Sequence, residues 1–228
     1  MVIAIDPGDI RKKYAAKMEC LCKIHDGSEH EIGEGYWLAK AVAADIDHKR
    51  VIPLYLEAYS QDAGGFISEN DQLFKVIDTI STHVGNKGIY AIDRGGDRGK
   101  LYDKFLAQDK EKRFVIRLTQ KRDLIHKGKG RNCRLLATLL PCPYQTVMIK
   151  YEDGKEEKTT VFFNTLPVKL PGDENQLFLV AVKECPSFST MPLPTGVTIS
   201  SHKTGIKMSP KTKTPDFQLC FSFWDEAG

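Results

Sequence analysis

Apolar positions along the chain recur with two different periods. Val2-Ile3-Ala4-Ile5 is a β-branched run that stops at Asp6-Pro7-Gly8, which predicts a buried strand ending at a turn. Residues 18–24, 31–42 and 51–56, separated by polar turns, extend this into an antiparallel meander. From Ser68 the period changes. Leu73, Phe74, Val76, Ile77 and Ile80 follow helical spacing between the capping side chains of Ser68-Glu69-Asn70-Asp71 and a stop at Gly85. A second short strand, Ile89–Ile92, ends on Asp93 and the turn Arg94-Gly95-Gly96-Asp97. A helix with Leu101, Tyr102, Phe105 and Leu106 on one stripe follows, then a strand over 114–118. Strand pieces at 145–150, 159–163 and 177–182, with turns at 152–154 and 171–173, predict an inserted β-rich subdomain. Beyond Glu184 the periodicity lapses among Pro186, Pro192, Pro194, Lys203, Lys207, Lys211 and Lys213, and an irregular, poorly ordered tail is expected. The expected division is an α/β core over 1–131, the insertion over 132–184 and the tail over 185–228.

Composition narrows the class. With 228 residues, 41% hydrophobic and 28% charged, the chain has enough apolar surface for a buried core, so global disorder is excluded. The longest apolar runs, such as 177–182, are too short to span a bilayer, and Met1–Ile5 lacks the basic and extended apolar regions of a secretory signal, so a cytoplasmic protein is expected. A net charge of +3 from 33 basic and 30 acidic residues implies no nucleic-acid partner by itself; distribution must decide. Cysteines at 20, 22, 133, 142, 185 and 220 fit neither a zinc pattern nor a disulfide framework and read as reduced thiols. No two of the histidines at 25, 30, 48, 83, 126 and 202 share a helix face as metal ligands. The stretch Arg94–Lys100 sits like a phosphate loop, but Arg94 and Leu101 stand where a Walker sequence needs Gly and Ser or Thr. Trp37 and Trp224 read as packing residues.

The chemistry is concentrated in two acids and one basic run. Asp6 and Asp93 each follow a strand of the same texture, so if those strands are neighbours their carboxylates converge at the sheet edge. Two carboxylates about 5 Å apart at an effective dielectric near 20 repel by roughly 3 kcal/mol, which a divalent cation or a shared proton relieves. Oxygen-only ligands favour Mg²⁺ or Mn²⁺. The competing reading is that each Asp merely caps the turn after its strand. Between Lys121 and Arg134 six basic residues face one acid in a glycine-containing stretch, read as a loop suited to phosphate contacts or simply to solvation. Lys121, Arg122, Lys127, Lys129 and Arg131 are the candidate contacts. Arg94 and Arg117 join them, either on phosphates or the Asp pair, or as structural ion pairs.

Several of these segments together carry a resemblance. Ile3-Ala-Ile-Asp6-Pro-Gly-Asp-Ile10, Tyr14, Lys17-Met-Glu19, Gly35-Tyr-Trp-Leu38, Ile52-Pro-Leu-Tyr55, and Tyr90-Ala-Ile-Asp93-Arg-Gly-Gly-Asp97 leading to Phe114-Val-Ile-Arg117 resemble the catalytic domain of insertion-sequence DDE transposases, over roughly residues 1–183. The resemblance implies an α/β fold: an RNase H-like mixed sheet with flanking helices and an inserted β-rich subdomain. It implies cut-and-paste DNA transposition by two-metal phosphodiester hydrolysis and strand transfer, with Asp6 and Asp93 as the first and second ligands of Mg²⁺ or Mn²⁺. Its partners would be double-stranded DNA, as transposon ends and target, and a second copy in a homodimer; its place would be a bacterial or archaeal cytoplasm, at the nucleoid. The family's third acid, a Glu in a Tyr-x-x-Arg-x-x-x-Glu pattern on a late helix, has no match: Tyr151 is the last tyrosine, and Glu184 and Glu226 are poor substitutes. The family also normally carries a DNA-binding region before the first catalytic strand, on which this chain starts. A truncated fragment, inactive alone, is therefore expected, because losing one ligand of three loosens the metal geometry. Two other readings stand beside it: an RNase H-like nuclease or junction resolvase, which also opens with Ile-Asp-Pro-Gly, and a non-catalytic DNA-binding remnant of a transposase.

Overall fold

The computed structural model describes residues 1–15, 17–26, 31–45, 50–85, 87–107, 112–152, 155–184 and 194–200. Trp224, Glu226, Cys185, Cys220, His30, His48, His202 and the lysines expected in the tail lie outside these residues, as does most of the turn at 152–154. The protein is a mixed α/β structure rich in strands. Its residues group into two compact units: Met1–Asp45 with Lys49–Ala91 and Gly99–Glu111, and Ile46–His48 with Ile92–Arg98 and Lys112–Gly228. Residues 112–131, expected in the core, thus group with the later strands. Among the described residues no helix is long and apolar enough to cross a membrane.

The first unit is built on β1 (Val2–Arg11), β2 (Cys22–Asp26), β3 (Glu31–Asp45), β4 (Arg50–Tyr59) and all but the last residue of β5 (Ile89–Ile92). β1 does not end at Asp6. It runs on through Pro7 and Gly8, which pair with Ala39 and Leu38 of antiparallel β3. On β1's other side lies β5, four residues long. It is too short to accompany all of β1, so Pro7, which has no N–H, is not required to donate there. The strand expected from Met18 begins only at Cys22, because Cys20 takes a left-handed conformation (φ 54°).

Helix α1 (Glu69–Val84) matches the expected period. Ser68 Oγ accepts from Asp71 N, and Gly85, at φ 58°, closes the helix by donating to Ser81 O. Its buried face, Leu73, Val76, Ile77 and Ile80, belongs to the same core as Ile3 and Ile5 of β1 and Ala39, Ala41 and Ala43 of β3. The small alanines leave room for a helix packed close over the sheet. Helix α2 (Gly99–Leu106) adds Leu101, Tyr102 and Phe105, with the Phe105 ring 5.5 Å from that of Tyr90.

Gly35 is a point of close approach. It pairs with Arg11 of β1 on one side and Cys22 of β2 on the other, and an added Cβ would lie 2.1 Å from Ile10 O and 2.8 Å from Ile24 Cδ1. Gly35→Ala is expected to destabilise the protein by about 1–3 kcal/mol through overpacking. Urea unfolding checks this against Gly64→Ala, where nothing lies within 4 Å.

In the second unit β6 (Arg113–Arg117), β12 (Pro194–Ser200), β11 (Leu177–Glu184), β10 (Lys155–Val168) and β9 (Tyr144–Glu152) follow one another in a sheet. β12 corrects the expectation of an irregular segment after Glu184: residues 194–200 pair with β11 and β6, so partners distant in sequence supply the order that local periodicity did not announce. Helix α3 (Cys133–Leu139) was not expected. Asn132 Oδ1 caps it by accepting from Arg134 N, and Cys133, Leu136 and Ala137 are buried. The buried Lys183 of β11 donates to Thr138 O at 3.0 Å and Leu140 O at 2.8 Å, satisfying carbonyls at the end of this helix.

Candidate functional site

Asp6 stands on β1 directly opposite Lys40 of β3, and its Oδ2 lies 2.8 Å from Lys40 Nζ. Because alternate strand residues face opposite sides and Ile3 and Ile5 fill the core, Asp6 points away from that core. It is 43% exposed and Lys40 41%, so the pair is a surface ion pair open to exchange with another cation.

Asp93 directly follows β5. It caps the 3₁₀ turn Arg94–Gly96, its Oδ1 accepting from Gly95 N at 2.8 Å. The turn-capping alternative is therefore realised at Asp93, whereas Asp6 lies within a strand. Among the described residues no three of His, Cys, Asp and Glu come together as a metal-ligating group. Glu184 ends β11, paired with Val161, and is not on a helix.

The residue that organises this region is Asp97. Its side chain is fully buried, and Oδ2 accepts from Thr119 N at 2.8 Å and Thr119 Oγ1 at 2.7 Å. Oδ1 accepts from Arg122 Nε at 2.8 Å, and Arg122 Nη2 also reaches Asp97 O at 2.8 Å. Arg122, expected as a phosphate contact, is instead the structural partner of a buried carboxylate. A buried carboxylate needs such a set of donors to offset its lost hydration. Sequence reasoning missed this role, because Asp97 was legible only as part of a turn motif.

The basic run is not a loop. β7 (Asp123–His126) and β8 (Lys129–Asn132) form an antiparallel ribbon. Lys127 (φ 49°) and Gly128 (φ 75°) make the two-residue turn, both in the left-handed region that a tight hairpin requires. Leu124 is fully buried, and Ile125 exchanges backbone hydrogen bonds with Lys169 at 2.8 and 2.9 Å. His126 Nδ1 lies 3.0 Å from Pro167 O. Lys121, Lys127, Lys129 and Arg131 are exposed, as is Arg94 at the start of the 3₁₀ turn; Arg117, the last residue of β6, is half-buried. The structure thus places Lys127, Lys129 and Arg131 on one rigid ribbon.

Neither described thiol of this unit is poised as a nucleophile. Burial, followed by the charge of Asp97, pushes the Cys133 thiol up, and burial does the same to Cys142, so both stay protonated near neutral pH. Cys20, Cys22, Cys133 and Cys142 are free, as expected.

Compared with known protein families and with curated proteins, the chain matches no family model and no curated protein.

Proposed function

We propose that the chain is a catalytic-domain fragment of a DDE transposase with an RNase H-like core, in which Asp6 and Asp93 hold Mg²⁺ or Mn²⁺ and double-stranded DNA is the partner. The observation that carries this reading is the start of β5 against the start of β1, where Ile89 N donates to Met1 O at 3.2 Å. From that point each strand has four residues before its acid: Val2 to Ile5 before Asp6, and Ile89 to Ile92 before Asp93. The strand arrangement of the first unit supports it further. β1 has long antiparallel β3 on one side and β5 on the other, β4 pairs with β3, and α1 connects β4 to β5. This order supports the reading of an RNase H-like core.

A carboxylate within β1 and another directly after β5 would supply oxygen ligands of the kind Mg²⁺ prefers, and a bound ion would polarise a phosphodiester and lower the pKa of an attacking water. This chain's own residues would position the ion, and the basic ribbon would hold the DNA. A Mg²⁺-dependent nicking assay on duplex DNA tests the reading. Cleavage at background with retained DNA and Mn²⁺ binding is expected, because the third acid has no sequence match. Robust cleavage abolished by Asp93→Ala would keep the nuclease chemistry and overturn the expected inactivity. Absence of both DNA and Mn²⁺ binding would overturn the whole reading.

Lys40 gives a sharper test. Its ammonium occupies Asp6 Oδ2, so an incoming ion must displace it. An exposed pair is worth about 0–1 kcal/mol, so Lys40→Met is expected to tighten Mn²⁺ binding by up to about fivefold. Weaker binding in a calorimetric titration would contradict Asp6 as a ligand.

A second reading, a non-catalytic DNA-binding module, draws on the cap at Asp93 and the ion pair at Asp6, which engage both acids structurally, and on the exposed basic residues of the β7–β8 ribbon.

A further inference from the structure

We propose that the outer strand of the β7–β8 ribbon is a phosphate rail on which Lys127, Lys129 and Arg131 engage neighbouring phosphates along one strand of duplex DNA. The inference rests on the DNA-binding part of the proposed function and not on its metal chemistry. Lys129 and Arg131 are two positions apart on β8 and so share a face, about 7 Å from each other at the rise of a β-strand. That spacing is comparable to the separation of neighbouring phosphates on a nucleic-acid strand. Lys127 continues the row around the turn. All three are exposed and, among the described residues, none is held by an ion pair or side-chain hydrogen bond within the protein.

The rail is rigid because everything behind it is fastened. β7 is bonded to β8 on one edge and to Lys169 on the other. At the base of the ribbon, Asn132 Nδ2 donates to Gln120 O at 3.0 Å and Arg134 Nη1 to Gln120 Oε1 at 3.2 Å. Arg122, just before β7, is tied to Asp97. Cations set on a fixed ribbon bind a polyanion without the ordering cost of a flexible loop. The one acid of the ribbon, Asp123, pairs with Asn132 at the end away from the turn, so the tip presents positive charge alone. Row spacing without convergent hydrogen-bond donors suits backbone contacts and gives no base readout. Lysines on an edge strand also discourage strand addition, and that role would leave DNA binding untouched.

Each phosphate contact to B-form DNA contributes about −0.9 to the slope of log K against log salt, so three contacts contribute about −2.7. The test is fluorescence anisotropy with a mixed-sequence duplex in EDTA, over about 50 to 200 mM salt, where such slopes are read. It compares the full chain, Lys127→Gln/Lys129→Gln/Arg131→Gln, and the charge-matched control Lys17→Gln/Lys23→Gln/Lys158→Gln. The rail variant is expected to lose about 2.7 from the slope and the control much less, with equal losses on unrelated sequences. Far-ultraviolet circular dichroism verifies that both variants fold. An unchanged slope in the folded rail variant, an equal loss in the control, or no duplex binding by the full chain at the lowest salt would overturn the proposal. Because EDTA removes divalent ions, failure of the metal reading leaves this measurement intact.

Discussion

Asp97→Ala is expected to destabilise the second unit by about 3–5 kcal/mol, the cost of breaking a buried charge pair by removing one partner. The carboxylate is fully buried, and its loss leaves the Thr119 N–H and hydroxyl without their acceptor, each a penalty of about 1–3 kcal/mol. Arg122 keeps its bond to Asp97 O and is 26% exposed, which holds the total toward the lower end. Asp97→Asn, which keeps the size and one acceptor but loses the charge, should fall between wild type and Ala. Urea unfolding measures both, and hydrogen exchange should show the β7–β8 amides losing protection first, since Arg122 precedes that ribbon. A loss below about 1 kcal/mol for Asp97→Ala would mean that the network does not hold the unit together.

Phe105→Ala is the second large effect, about 3–5 kcal/mol in the first unit. Phe105 is 2% exposed, lies on the buried stripe of α2 and contacts Tyr90 with ring centroids 5.5 Å apart at 48°. Truncation removes most of a buried aromatic side chain and leaves a cavity between α2 and β5. Tyr90→Phe is the informative companion. The Tyr90 hydroxyl is buried without a hydrogen-bond partner among the described residues, and burial, with the charge of Asp78, pushes its pKa up to about 12. Removing that hydroxyl should therefore be neutral or slightly stabilising. Thermal unfolding separates the two: a Phe105→Ala loss no larger than that of Tyr90→Phe would contradict this account of the core.

These two residues mark what the sequence makes legible. Phe105 could be placed from its helical stripe alone, because an amphipathic period is written into neighbouring residues. The same holds for α1, where Ser68 and Gly85 signal both ends, and for β5. Asp97 could not be placed, because its partners Thr119 and Arg122 stand 22 and 25 residues away and nothing local announces their return. β1 outruns its apparent stop for a similar reason: β3 supplies a pairing edge that overrides the turn chemistry of Pro7-Gly8. Helix α3 has a local signal, Asn132 ahead of Leu135, Leu136, Leu139 and Leu140, but it lies next to a stretch whose charge masks it. The basic ribbon is masked in the same way: Lys127-Gly128 makes a hairpin turn, while glycine and charge together are also the composition of a loop. Of the candidate site, the residue types were legible, while the engagement of Arg122 with Asp97 and of Lys40 with Asp6 required the fold.

The proposed function turns on Asp6, within β1, and Asp93, directly after β5, sharing one divalent ion. Paramagnetic broadening of assigned backbone amide signals by substoichiometric Mn²⁺ tests it most directly. The account predicts that signals around Asp6 and Asp93 broaden together at the same Mn²⁺ concentration, and that Asp6→Asn abolishes the broadening at both. Broadening at one acid alone, or at neither, would contradict it.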